Sequence, residues 1–170
     1  MNLGFVILVL ALVAASLTDV AHQKIPNVIT YPLALFGLIY NIALTGMSGL
    51  LFSFSGILVG GGILLLFYAL GGMGAGDVKL LAAVGSILGP LGVFHAFLYT
   101  ALAGGLYALV VLYRHGALRD SLRRLTPVVD GFLQVRTMPD SFMANRAGVP
   151  RMCYALAISV GSVLAVLRPL

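Results

Sequence analysis

Long apolar runs separated by short polar breaks dominate the chain. The first covers residues 2–18, and four more follow at about 28–45, 50–70, 77–89 and 92–113. A polar region at 114–151 comes next, and a last apolar run covers 152–168. A helix of about 20 apolar residues crosses the roughly 30 Å hydrocarbon core of a bilayer. The pattern therefore predicts an all-α integral membrane protein with six transmembrane helices, a single polytopic domain over 1–170, and a cytoplasmic loop at 114–151 with an amphipathic segment. Residues 1–10 carry no charged side chain, so the first run reads as a retained helix rather than a signal peptide.

The breaks carry their own signals. Thr18–Asn27 reads as a polar connector, in which Pro26 fixes its own φ and biases Ile25 toward extended backbone. Asn27 is placed to cap a helix starting at Val28, with Pro32 in its first turns. Residues 45–49 form a short turn, and Gly89-Pro90 closes the fourth run. Gly56 and Gly60 have the small-xxx-small spacing that lets membrane helices approach closely, and Gly104-Gly105 marks a second such approach.

Composition agrees with a membrane location. Of 170 residues 61% are hydrophobic and 9% charged, and the mean hydropathy is +1.09, whereas about a quarter of the residues in soluble domains are charged. The net charge of +5 is not interleaved with aromatic residues, which argues against nucleic acid as a partner. Six spans alternate sides, so Lys24, Lys79 and the arginines at 114, 119, 123, 124, 136, 146 and 151 share one face, and only Arg168 falls opposite. By the positive-inside rule that face is cytoplasmic, with both termini outside. Within the loop, Leu118, Leu122, Leu125, Val129 and Phe132 recur at helical spacing with arginines between them, a pattern that predicts contact with anionic lipid headgroups. The single Cys153 permits neither an intrachain disulfide nor a Cys-x-x-Cys zinc site.

The chemistry concentrates at Gly71-Gly72-Met73-Gly74-Ala75-Gly76-Asp77-Val78-Lys79. No Gly-x-x-x-x-Gly-Lys-Ser/Thr is present, and Asp77 stands where a dinucleotide fingerprint needs its last glycine, so a phosphate-binding loop is excluded. Parity places Asp19 at the same depth and on the same side as Asp77. Two neighbouring carboxylates do not both ionise easily: one keeps a proton while the other acts as a base. Such a pair can activate a water against a peptide carbonyl and protonate the carbonyl oxygen. Gly72, Gly74 and Gly76 would then leave backbone groups accessible to an extended substrate. The plainer reading is that Asp77 caps a helix and the glycines make a turn. Lys79 does not face Asp77 at a spacing of two residues; it tunes the pair, pairs with an acidic residue of a substrate, or snorkels to the interface. Lys24 belongs to the same connector as Pro26 and Asn27, which set where the second helix starts.

Gly74-Ala75-Gly76-Asp77 resembles the Gly-x-Gly-Asp signature of intramembrane aspartyl proteases, narrowed by Val78-Lys79. Asp19, followed by Ile25-Pro26-Asn27, is similar to the first aspartate motif of the type IV prepilin peptidases. The whole chain, with both motifs in order across six spans, most resembles the short form associated with tight-adherence (Flp) pili. The resemblance implies Asp19 and Asp77 as the catalytic pair, no metal or cofactor, a bacterial inner-membrane location, and prepilin or pseudopilin precursors cut at the cytoplasmic face. Longer members carry an N-terminal domain with paired Cys-x-x-Cys motifs and many methylate the new N-terminus; neither is expected here. The family's late Pro-Tyr element is matched only in part, since Arg151 follows Pro150. The residues alone also admit a proton-coupled transporter, in which the aspartates relay protons, or a non-catalytic assembly scaffold.

Overall fold

A computed structural model describes residues 3–69, 73–114 and 154–167. Gly71, Gly72, Cys153, Arg168 and the expected amphipathic loop beyond Arg114 lie outside the described residues. The described elements are all helical: α1 (Leu3–His22), α2 (Asn27–Thr45), α3 (Met47–Ala69), α4 (Ala75–Arg114) and α5 (Tyr154–Leu167). The first four are long and apolar enough to cross a membrane; α5 is apolar but shorter. The chain divides into two compact units, Met1–Gly104 with Cys153–Leu170, and Gly105–Met152. Of the second, only the last residues of α4 are described.

Helix α1 outruns its apolar run. Its buried residues Gly4, Leu8, Leu12, Ala15 and Asp19 form one stripe at three- and four-residue spacing. Asp19 therefore belongs to the helix, not to the connector expected at 18–27. Thr18 turns its hydroxyl back onto the Ala14 and Ala15 carbonyls at 3.1 and 2.9 Å, which satisfies it without ending the helix. The helix stops after His22, where Gln23 takes a φ of 52°.

Helix α2 begins one residue earlier than expected, with Pro26 at the N-cap and Asn27 as the first helical residue. Asn27 is thus not the cap: its side-chain oxygen is drawn across to Lys79 instead, 2.9 Å from Nζ.

Helix α4 is the hub. Most of residues 80–86 are buried, as suits a helix covered on every side. Helices α2, α3 and α5 each meet it through a glycine. A Cβ at Gly37 would collide with Ser86, one at Gly56 with the Gly85 carbonyl, and one at Gly161 with Thr100. On α3 the buried stripe is Gly49, Ser53, Gly56, Gly60 and Leu64, while Leu51, Phe54, Leu58 and Leu65 point outward. Small residues inward and large apolar ones outward is the arrangement expected where lipid replaces water.

The helix does not run straight. Gly89 has φ 72° and ψ −177°, and Pro90 follows. A Cβ at Gly60 would lie 2.6 Å from the Leu81 carbonyl oxygen and 2.9 Å from Val93 Cγ2. On a straight helix those two residues would be about 18 Å apart. The chain therefore doubles back at Gly89-Pro90, where the sequence places the end of the fourth run. Only glycine occupies that backbone region at low cost, and the Phe52 ring fills the space a Cβ would need. Gly89→Ala is expected to cost at least about 1–3 kcal/mol, read as a lower unfolding midpoint in mild detergent. Gly62→Ala, at a helical position with nothing within 4 Å, should be neutral or slightly stabilising.

Candidate active site

The site forms where the end of α1 meets the starts of α4 and α5. Asp19 comes from the last turns of α1 and Asp77 from the first turn of α4, and each is only 8% exposed. The two carboxylates lie within electrostatic range of each other. Helix geometry explains both positions. Asp19 is the fifth member of the buried stripe of α1. Asp77 is the third residue of α4, so its carboxylate reaches back over the helix start: Oδ2 accepts the Gly74 N–H at 3.1 Å, and the Asp77 N–H donates to the Gly74 carbonyl at 3.2 Å. This is the acidic half of a capping box. The plainer reading of Asp77 as a helix cap is thus realised in the structure, and it leaves the carboxylate within electrostatic range of Asp19.

The glycines around Asp77 serve this turn. Gly74 commits both its N–H and its carbonyl to Asp77. Gly76 lies against Ile25, whose Cβ would be 3.1 Å from an added Cβ. That close approach brings the α1–α2 connector onto the first turn of α4. Neither glycine has positive φ; among the described glycines only Gly46 and Gly89 do. Gly74 thus has its own backbone groups engaged by Asp77, while Gly76 packs against Ile25. Gly72 lies outside the described residues.

The supporting residues divide. Lys79 bridges α4 to α2: its ammonium donates to Asn27 Oδ1 at 2.9 Å and sits 5.3 Å from the centre of the Tyr31 ring, within cation–π range. It pins the α4 start to the α2 start. Pro26 holds the N-cap of α2. Lys24 and His22 are exposed near the connector. Asn27→Ala and Lys79→Ala are each expected to lower stability in mild detergent by about 1 kcal/mol, read from the unfolding midpoint, with the double variant no worse than the stronger single one. A double-mutant cycle on unfolding checks this; fully additive losses would contradict it.

Helix α5 contributes what sequence reasoning missed. The Ala155 N–H donates to Asp19 Oδ2 at 3.3 Å. That bond ties the Asp19 side chain to the first turn of α5. The neighbouring Tyr154, half-buried, lies within electrostatic range of Asp77. The first turn of α5 therefore bonds to Asp19 and lies within electrostatic range of Asp77. Among the described residues no group of three or more His, Cys, Asp or Glu could hold a metal ion. Two buried carboxylates with polar support suit acid–base work on a water.

Comparison with known proteins gives a consistent picture. A model described as the type IV leader peptidase family matches residues 6–109, a segment that holds both aspartates. The "Type 4 prepilin-like proteins leader peptide-processing enzyme" of Escherichia coli O78:H11 (strain H10407 / ETEC) is 35% identical over 118 residues, 64% of this chain and 43% of that relative. The "Prepilin leader peptidase/N-methyltransferase" of Xanthomonas campestris pv. campestris is 34% identical over 134 residues, 75% of this chain and 45% of the relative. Its namesake from Vibrio cholerae serotype O1 is 33% identical over 90 residues, 49% of this chain and 36% of the relative. The matched segments thus span less than half the length of these curated relatives. No solved structure matches the chain.

Proposed function

The chain belongs to the type IV leader peptidase family, and from that premise we propose that it is a membrane-embedded aspartyl endopeptidase that removes the leader from type IV prepilin-like precursors at the cytoplasmic face. The observation that supports this reading is that Asp19 and Asp77 are both buried and within electrostatic range of each other, although they come from helices separated by two others in the chain.

In the proposed reaction a water sits between the two carboxylates. The ionised one takes a proton from the water as its oxygen attacks the scissile carbonyl carbon, and the protonated one gives its proton to the carbonyl oxygen. Collapse of the tetrahedral intermediate breaks the C–N bond, with a proton passing to the leaving amine. The products are a leader with a new carboxylate and a mature chain with a new amino terminus. No covalent enzyme intermediate forms.

The membrane arrangement is part of the proposal. The two arms of α4 and helix α5 complete six spans, which puts the α1–α2 connector, the α4 start and the loop after α4 on one side of an inner membrane. Lys24, Lys79 and seven arginines then lie cytoplasmic, in keeping with positive-inside bias. The arginine-rich loop contacts anionic lipid. The test is co-expression with a leader-bearing prepilin-like precursor. A mobility shift that requires this chain, with a new N-terminus just before the precursor's apolar segment, is expected. A precursor that stays full length would count against the reading.

A further inference from the structure

We infer that Ser16 and Ser159 are positioning residues for the aspartate pair, fixing the start of α5 against α1 so that Asp19 keeps its orientation. The inference rests on the peptidase reading given above.

Ser16 precedes Asp19 by three residues and so shares its face of α1. Its hydroxyl lies 2.8 Å from the Ser159 hydroxyl and 3.5 Å from the Ala155 carbonyl. The Ser159 hydroxyl in turn lies 2.7 Å from the Ala155 carbonyl and 3.2 Å from the Leu12 carbonyl. Each hydroxyl has one proton to give. Ser159 donating to Ala155 and Ser16 donating to Ser159 uses both protons on these contacts. Ala155, which is fully buried, is then held from both sides: its N–H by Asp19 and its carbonyl by the serine pair. The same backbone residue that fixes one carboxylate oxygen is tied to α1 one turn away. In the proposed arrangement the serines lie one turn deeper in the membrane than the aspartates, where a lost hydroxyl partner is less readily replaced by water. Removing either hydroxyl therefore frees the α5 start to shift, and a carboxylate displaced by a fraction of an ångström loses its line on the water.

Ser162 supplies the internal contrast. Its hydroxyl, fully buried on α5, makes the same kind of bond within the helix as Ser159 does, to the Ile158 carbonyl at 2.7 Å, but it is not joined to α1 as Ser159 is through Ser16.

The experiment uses the purified full chain in phosphatidylethanolamine/phosphatidylglycerol vesicles with one leader-bearing precursor. Ser16→Ala and Ser159→Ala are each expected to lower kcat about tenfold with KM within twofold. Ser16→Thr, which keeps a hydroxyl, should recover most of the rate, and Ser162→Ala should match the unaltered chain. Unchanged kcat in both alanine variants would overturn the inference, as would a loss confined to KM or an equal loss in Ser162→Ala. If Ser159→Ala does not fold, the Ser16→Ala and Ser16→Thr pair decides alone. Asp19→Asn is assayed beside them. Cleavage surviving in that variant defeats the peptidase reading itself, whereas its loss alongside fully active serine variants defeats only the positioning role.

Discussion

Asp19→Asn and Asp77→Asn are each expected to stop precursor cleavage, by about 10³-fold or more, while the chain stays folded. The amide matches the carboxylate in shape, and its carbonyl oxygen still accepts one hydrogen bond. The amide of Asp77→Asn can therefore keep the Gly74 N–H contact at the α4 start, and that of Asp19→Asn can keep the Ala155 N–H contact to α5. What the amide lacks is the chemistry. It neither takes a proton from water nor gives one to a carbonyl oxygen, and each such transfer by a positioned group is worth about 10²–10⁴ in rate. Because the two groups act on the same water, removing one leaves the other with no partner, and the single losses should be nearly as deep as the double. Comparing the yield and unfolding of each variant with its processing of a co-expressed precursor separates this outcome from simple misfolding.

Gly56→Leu and Gly60→Leu are expected to yield no folded protein. Both glycines lie where α3 presses on α4, Gly56 against the first arm and the bend and Gly60 against both arms. A Cβ at Gly56 would meet the Gly85 carbonyl and lie 2.9 Å from Gly89 Cα, and one at Gly60 would lie 2.6 Å from the Leu81 carbonyl oxygen. These neighbours are backbone atoms, which have no rotamer to yield. Overpacking a core typically costs about 1–3 kcal/mol, and here relief requires moving a whole helix. Gly56→Ala alone should reduce folded yield, because Gly85 faces it with the same lack of clearance. Size-exclusion profiles in mild detergent check this. A monodisperse Gly56→Leu variant with normal yield would mean that α3 does not pack on α4 as described.

Some of this is legible in the residues. Gly89-Pro90 marks the reversal in α4 because positive φ and a missing N–H leave a local imprint on sequence. Gly56 and Gly60 announce a close approach, though not the helix they approach. Asp77 is readable both as a helix cap and as half of a pair, and the structure realises the cap with Asp19 within electrostatic range. Other features depend on packing that no local rule contains. Asn27 looks like an N-cap until Lys79, 52 residues away, takes its side chain. Asp19 reads as a connector residue because polarity follows an apolar run, yet its four-residue step from Ala15 continues the buried stripe of α1. Ala155 supports Asp19 through its backbone N–H across 136 residues of chain, and a backbone group carries no side-chain signature. Tyr154 lies near the incompletely matched Pro-Tyr element, but nothing in the sequence ties it to Asp77.

The claim that most needs testing is that both aspartates perform the hydrolysis. The direct measurement is single-turnover cleavage of one leader-bearing precursor by the purified chain in lipid vesicles, with mass spectrometry locating the cut. The unaltered chain should release the leader at a single bond just before the apolar segment, and folded Asp19→Asn and Asp77→Asn should each show a rate at least about 10³-fold lower. Release at the normal rate by either variant would contradict the account.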